Sequence, residues 1–341
     1  MKTIILFFLF FTSHSHAIPE LNFEANWKQN VLPFYKNLNH DDLKNAQGMT
    51  LRYVTYTHPK NTQRLVILPG RTEPAIKYAE LIYDLRQSGL DIFILDHQGQ
   101  GESDRLLKDT QKGHVLNFKH YVRDFEQFMN EVVLPSSKHP TSLVAHSMGG
   151  AIAVKYMAKN PGALKKAVLV APMMEINTKP YSEIVALIYA KFLMSIGKGN
   201  SYAPGQGPYI SEDQVFEQNI LTHSRSRFEA GKYLFDSSPD IVVSGPTARW
   251  IYESLKATKS MGKIILKTPV LLLQAGEDEV VKPRRQNIFC KESFCKLIKF
   301  PTARHEILME NDEIRDESLR EIQSFLSFKL FPENGQSIVG N

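Results

Sequence analysis

Long apolar runs are scarce in this chain of 341 residues. The one at the N-terminus covers residues 4–11, eight apolar side chains in a row. No stretch approaches the roughly 18 residues of a membrane-spanning helix. Cysteine is nearly absent, with only Cys290 and Cys295. That excludes a cysteine-dense scaffold, and no Cys/His spacing suggests zinc. No Lys/Arg run of the nucleic-acid kind occurs, so nucleic acid is not an expected partner. No phosphate-cradling glycine loop is present either. Gly99-Gln-Gly101 lacks the dinucleotide pattern and reads as a tight loop. Neither a metal nor an organic cofactor is expected.

What is present begins with a leader. Lys2 precedes the apolar run, and Ser15 and Ala17 supply small residues three and one before a cut after Ala17. A short charged end, an apolar stretch and such a site predict a secretory signal over residues 1–17. The product would be exported, periplasmic or secreted. Without Lys2 the balance is 40 basic against 36 acidic side chains, slightly basic. Such a balance is compatible with peripheral contact at an anionic membrane. In an exported chain the even cysteine count favours a Cys290–Cys295 disulfide, with buried free thiols as the alternative. The remaining length suits one domain with an insertion.

The centre of the chain carries a chemical signal. Residues 145–150 read Ala-His-Ser-Met-Gly-Gly, between an apolar run and a helix-like run. Strand, Ser, helix is the order of a nucleophile elbow, G-x-S-x-G, here with Ala145 in the first position. Ser147 is the expected nucleophile, at the carboxyl end of a sheet where open α/β sheets bind ligands. An acid and a histidine should follow in that order. An apolar strand near 269–275 ends at Gly276-Glu277-Asp278-Glu279, and the Gly-x-Asp-x-x-Val string favours Asp278, with Glu277 and Glu279 as rivals. Of eleven histidines, His305 alone follows both Asp278 and a strand. It is the expected base, and His146 reads as a packing or hydrogen-bonding neighbour. The strand near 64–68 runs into Pro69-Gly70-Arg71. That loop is expected to supply one backbone N–H of an oxyanion hole, and Met148, the residue after the nucleophile, the other. Gly70 lets backbone approach the site. The Arg71 side chain reads either as a surface arginine or as a positive group near an anionic headgroup.

With these residues placed, the chain resembles an α/β-hydrolase of the monoacylglycerol-lipase-like branch, and within it the membrane-associated bacterial lysophospholipases. The resemblance runs from about residue 64 to 316. It rests on Gly70 to Glu80, Asp96 to Ser103, Gly113-His114-Val115 and His305 to Leu308. The most discriminating block is Leu221-Thr-His223-Ser-Arg225-Ser-Arg227-Phe with Gly245-Pro246-Thr247 and Trp250. It implies Ser147, Asp278 and His305 as the catalytic set, Arg71 and Met148 as oxyanion donors, and a single-chain lipid substrate. Gly70, Arg71, His223 and Arg225 are the expected substrate-binding residues. In those lysophospholipases Glu stands where this chain has Asp278, and no cleavable leader precedes the domain. The rival readings are a broad esterase on short soluble esters and a silent binding protein of the same fold.

The implied fold is an α/β-hydrolase: a mostly parallel sheet with helices on both faces and an inserted, largely helical lid. The expected divisions are a leader 1–17, an N-terminal arm 18–48, a core 49–172 and 263–330, a lid 173–262 and a flexible tail 331–341. Strands are predicted near 49–57, 64–68, 91–96, 142–145, 166–170, 270–274 and 297–300. The arm reads as helical or irregular. Met173, Met174, Tyr181, Tyr189, Phe192, Met194 and Tyr202 read as lining for an acyl tunnel or as the lid's own core.

Overall fold

The computed structural model describes residues 17–328. The tail at 331–341 and all of the leader except Ala17 lie outside the described residues. The strands are β1 (Asn39–Lys44), β2 (Thr50–Tyr56), β3 (Gln63–Leu68), β4 (Leu90–Leu95), β5 (Thr141–His146), β6 (Lys166–Val170), β7 (Val270–Ala275) and β8 (Cys295–Phe300). They form one eight-stranded sheet in the order β1-β2-β4-β3-β5-β6-β7-β8. β2 is antiparallel to both β1 and β4, and every later pair is parallel.

The principal helices are α1 (Ala79–Leu85), α2 (Phe118–Phe128), α3 (Met148–Lys159), α4 (Glu183–Ser195), α5 (Arg225–Ser237), α6 (Ala248–Thr258), α7 (Arg284–Glu292) and α8 (Asp312–Leu326). Successive strand residues face opposite sides of the sheet. In β3, Leu65 and Ile67 join one core with α1, α8 and the N-terminal arm. Val66 and Leu68 join the other with α2 and α3. Burial on both faces is why β3 reads as a continuous apolar run rather than an alternating one.

The arm differs in part from its expectation. Helical turns run from Phe23 to Lys36, but β1 follows as an antiparallel edge strand. Its sequence, Asn-His-Asp-Asp-Leu-Lys, buries only Leu43. An edge strand with one buried side chain carries no period-2 signal. Charged side chains on such an edge also discourage pairing with another chain.

Residues 173–262 run between β6 and β7 and carry α4, α5 and α6. Ser182 caps α4, accepting from the Val185 amide, and Glu183 stands in its first turn. Arg285 of α7 holds Glu183 by both guanidinium ends, at 3.2 and 2.6 Å. α4 lies along α6. Met173 and Met174 belong to the core beneath the sheet. Tyr181, Tyr189 and Phe192 are exposed, and so are Ile184, Val185, Ile188 and Ile196. These side chains therefore line neither a tunnel nor a core of this segment. No helix among the described residues is long and apolar enough to cross a membrane. Cys290 and Cys295 are joined in a disulfide between α7 and β8.

Candidate active site

β5 delivers its chain to Ser147, which sits at φ 48° and ψ −114°. A non-glycine residue in that region is strained by about 1–3 kcal/mol and persists only where the surroundings hold it. Here the Ser147 amide donates to the Val170 carbonyl at 3.0 Å, and its carbonyl accepts from the Met173 amide at 2.8 Å. α3 starts at the next residue and runs close against the end of β3. A Cβ on Gly149 would come within 2.2 Å of the Leu68 carbonyl oxygen. Only glycine permits that approach, which is the physical content of the second Gly in the elbow string.

The Ser147 hydroxyl lies 2.9 Å from His305 Nε2. His305 Nδ1 donates to Asp278 Oδ2 at 2.8 Å. The other Asp278 oxygen accepts from the amides of Val280 and Val281, at 2.8 and 2.9 Å. The acid is thus fixed by the turn that follows β7. Of its rivals, Glu277 stands half-exposed, 3.5 Å from His223, and Glu279 is exposed. Neither is hydrogen-bonded to His305. Ser147 and His305, 158 residues apart, and Asp278, 27 residues before His305, converge because β5, β7 and β8 end on the same edge of the sheet.

The loop after β3 is braced from below. His97 Nε2 lies 3.0 Å from the Pro69 carbonyl. Gln100 donates to the Gly70 carbonyl and accepts from the Thr72 amide, both at 3.0 Å. Asp96 accepts from the Ala75 amide. Burial pushes the Asp96 carboxyl up to about 7. The Gly70 amide is taken by Glu73, so Gly70 serves the loop's shape. The N–H groups of Arg71 and Met148 donate to no acceptor among the described residues. Two uncommitted amides flanking a nucleophile can stabilise an oxyanion, about 3 kcal/mol each.

Beneath His305 lies a network that sequence reasoning did not assemble. Glu73 accepts from the Tyr78 hydroxyl at 2.7 Å and from His146 Nδ1 at 2.9 Å, in addition to Gly70. His146 Nε2 donates to the His305 carbonyl at 3.2 Å. Lys77 binds both Glu73 and Glu306. Both His146 nitrogens face acceptors, which requires the imidazolium form. Burial opposes that charge, but Glu73 outweighs it and the His146 pKa is raised. Burial likewise opposes the Glu73 carboxylate, yet His146 and Lys77 hold it well below its usual range. The pair links the loop after β3 to the backbone of His305. His146 adjoins Ser147, and Glu73, Lys77, Tyr78 and Glu306 lie within the blocks that carry the resemblance, but nothing in periodicity marks their roles.

The remaining expected residues divide. The Arg71 guanidinium donates to the Ser244 carbonyl and lies over Trp250, 5.4 Å from the ring. It forms no ion pair among the described residues, and burial lowers its pKa to about 10. It is a half-buried, unneutralised cation on the loop after β3. His223 binds Glu310 at 3.0 Å, and the same carboxylate accepts from the Arg304 amide. That places His223 as a brace for the His305 loop. Arg225 is exposed, paired with Glu217 and stacked on Phe216. Neither His223 nor Arg225 shares a hydrogen bond with Ser147, His305 or Asp278. No group of metal-ligating side chains is assembled among the described residues.

Comparison with known proteins places this arrangement. A family model described as serine aminopeptidase, S33, matches residues 59–312. Lysophospholipase L2 of Escherichia coli is 34% identical over 314 residues, covering 89% of this chain and 92% of that protein. Monoglyceride lipase of Rattus norvegicus is 27% identical over 320 residues, covering 92% and 97%. Among solved structures, a soluble variant of monoglyceride lipase from Saccharomyces cerevisiae aligns with a TM-score of 0.65 at 19% identity, over 85% of this chain and 95% of that one.

Proposed function

The chain belongs to the serine aminopeptidase, S33, family of α/β-hydrolases, and from that premise we propose that it hydrolyses carboxylic esters of single-chain lipids, lysophospholipids first and monoacylglycerols second. The observation that carries the reading is the relay from Ser147 through His305 to Asp278, with contacts of 2.9 and 2.8 Å. In this reading Ser147 attacks the acyl carbonyl while His305 Nε2 takes its proton. Asp278 holds the imidazole in the right tautomer and stabilises its cation. The amides of Arg71 and Met148 carry the oxyanion. His305 then protonates the departing glycerol oxygen, and water repeats the cycle on the acyl-enzyme. Every proton moves between groups of this chain, substrate and water.

The substrate order has its own support. The E. coli relative is named a lysophospholipase. The Arg71 cation beside the site lacks a carboxylate partner, which suits a phosphate-bearing headgroup better than a neutral glycerol. The exposed apolar side chains of α4 suit contact with a lipid surface, where such a helix lies in the interface without spanning. In this reading 173–262 is the lid, and its apolar helix meets the membrane. Residues 1–17 act as a leader removed after Ala17, which leaves the mature protein periplasmic or secreted.

A fluorophosphonate probe should label Ser147, and labelling elsewhere or nowhere refutes the nucleophile. Fatty-acid release should then be measured across lysophospholipids, monoacylglycerols and nitrophenyl esters. Each buried methylene contributes about 0.8 kcal/mol at most, so catalytic efficiency should climb with acyl length below the micelle threshold. A flat or inverse dependence would replace this reading with an esterase for short soluble esters.

A further inference from the structure

A second set of charges, buried at Glu80, Asp84, Arg227 and Arg315, lies under the N-terminal arm, apart from Ser147. α1 supplies Glu80 and Asp84, α5 supplies Arg227, and α8 supplies Asp312 and Arg315. Arg227 Nη2 and Nε reach Glu80 at 2.9 and 3.1 Å, and Nη2 also reaches Asp312 at 3.0 Å. Arg315 binds Asp84 at 2.7 Å and stands 3.4 Å from Glu80. Glu20 closes the outer side, accepting from the Ser224 hydroxyl at 2.5 Å and the Asp312 amide at 3.4 Å. Three carboxylates, Glu80, Asp84 and Asp312, thus face two guanidiniums, with Glu20 on the rim. Lys77 lines a cavity with Glu80 and Arg227, but it is bound to Glu73 and Glu306. The cluster is short of positive charge. Burial leaves the Asp84 carboxyl raised to about 6 even with Arg315 against it.

Ile18 enters this cluster through its backbone. Its amide donates to Asp84 Oδ1 at 3.3 Å, and its carbonyl accepts from Arg227 Nη2 at 3.0 Å. Ala17 and Ile18 are 7% and 6% exposed. The amide on Asp84 therefore belongs to the very peptide bond that the leader sequence marks for cutting.

Resting on the export reading above, we propose that cleavage after Ala17 converts this amide into an α-ammonium that pairs with Asp84, so that the new N-terminus becomes the third cation of the buried cluster. The step is peptide hydrolysis by a leader peptidase. Water adds across the Ala17–Ile18 bond, the leader departs with the Ala17 carboxylate, and the released Ile18 amine takes up a proton. One amide donor becomes three ammonium donors with a full charge, which Asp84 is placed to accept. Since both flanking residues are buried once the chain folds, the cut precedes folding. The same cluster grips the segment beyond His305. Arg315 donates to the Leu308 carbonyl at 3.0 Å and Arg227 to the Glu310 carbonyl at 2.9 Å. Maturation thus adds charge to the anchor of the loop that carries His305.

The test separates the ion pair from the cut. The chain is released from a fusion by a protease that cuts immediately before Ile18, and compared with one released to keep Ala17 and one residue before it. The Ile18-first chain should melt about 2–4 °C higher, and the difference should vanish in Asp84→Asn. Equal melting of the two chains, or a difference that persists in Asp84→Asn, overturns the ion pair. Should Asp84→Asn fail to fold, acylation of the α-amine by an active ester at pH 7 reads the same contact. It should be severalfold slower in the folded Ile18-first chain than in urea, and equal rates overturn the proposal. The N-terminal peptide mass of protein from the native host tests the cut by itself. A start other than Ile18 refutes the export reading and leaves the engineered comparison standing.

Discussion

Along β5 every side chain from Thr141 to His146 is buried, whereas along α4 only Ala190 is. Both segments are rich in apolar residues. The strand spends its apolar surface on the sheet's two cores, and in return the backbone at its end is held rigidly enough to keep Ser147 at a positive φ. The helix leaves its apolar surface outside and is fixed mainly by its cap, by Arg285 on Glu183 and by one flank on α6. One region is built for position, and the other leaves an apolar face open, which the proposed reading assigns to a lipid surface. Substitutions in the first should therefore change chemistry or stability, and substitutions in the second should change only where the enzyme works.

The largest effect belongs to the relay. Ser147→Ala should lower turnover by about 10⁶-fold with the fold intact, and His305→Ala should match it, the two losses not adding. Single-turnover ester cleavage with circular dichroism as the fold control reads this. Asp278→Asn should cost about 10⁴-fold, while Glu277→Gln and Glu279→Gln stay near the parent rate. A crippling change at either glutamate would move the acid and break the picture of a turn that fixes it.

Next comes the pair under His305. Glu73→Gln leaves His146 with a buried charge and should cost about 3–5 kcal/mol of stability, read by urea unfolding. The pH dependence follows from the two shifts. Glu73 is held below its ordinary 4.5, so its contribution is present above that pH and fades as acid protonates the folded carboxylate. His146 is raised above its ordinary 6.5, so its contribution is complete below 6.5 and is lost as pH rises through the folded value. The stability gap between parent and Glu73→Gln should therefore be widest between about pH 5 and 6.5. A gap that keeps widening toward pH 9 would mean that His146 is neutral in the folded protein.

The smallest effect on chemistry should come from α4. Replacing Ile188 and Phe192 together with Asp should lower binding to anionic phospholipid vesicles about tenfold or more, as two apolar side chains are lost from the interface. Cleavage of a short soluble ester should stay within about twofold, because neither residue contacts the relay. Equal loss on vesicle-bound and soluble substrates would show that the helix shapes the site after all.

Legibility followed the same division. The inner strands β3, β5, β6 and β7 were readable because burial on both faces leaves an apolar run, and Ser147 and Asp278 could be named because each follows such a run; β8 buries only Phe300, and His305 was named by its place after Asp278 and a strand. The edge strand β1 was missed because a strand that buries only Leu43 resembles a polar arm. The apolar residues of 173–262 were readable as apolar, but not as exposed. A helix that faces solvent and one that faces a core can carry the same composition.

The sequence alone determined the fold class, the order nucleophile, acid, histidine, and the marks of a leader, because these depend on local pattern and on the order of elements along the chain. Only the tertiary structure decided which of three neighbouring carboxylates meets His305, that Glu73 and His146 stand as a charged pair beneath it, and that Ile18 reaches Asp84. Those contacts join residues 27 to 73 positions apart. Whether a charge is stabilised depends on how buried it is and what lies within about 3 Å, and a linear sequence carries neither quantity.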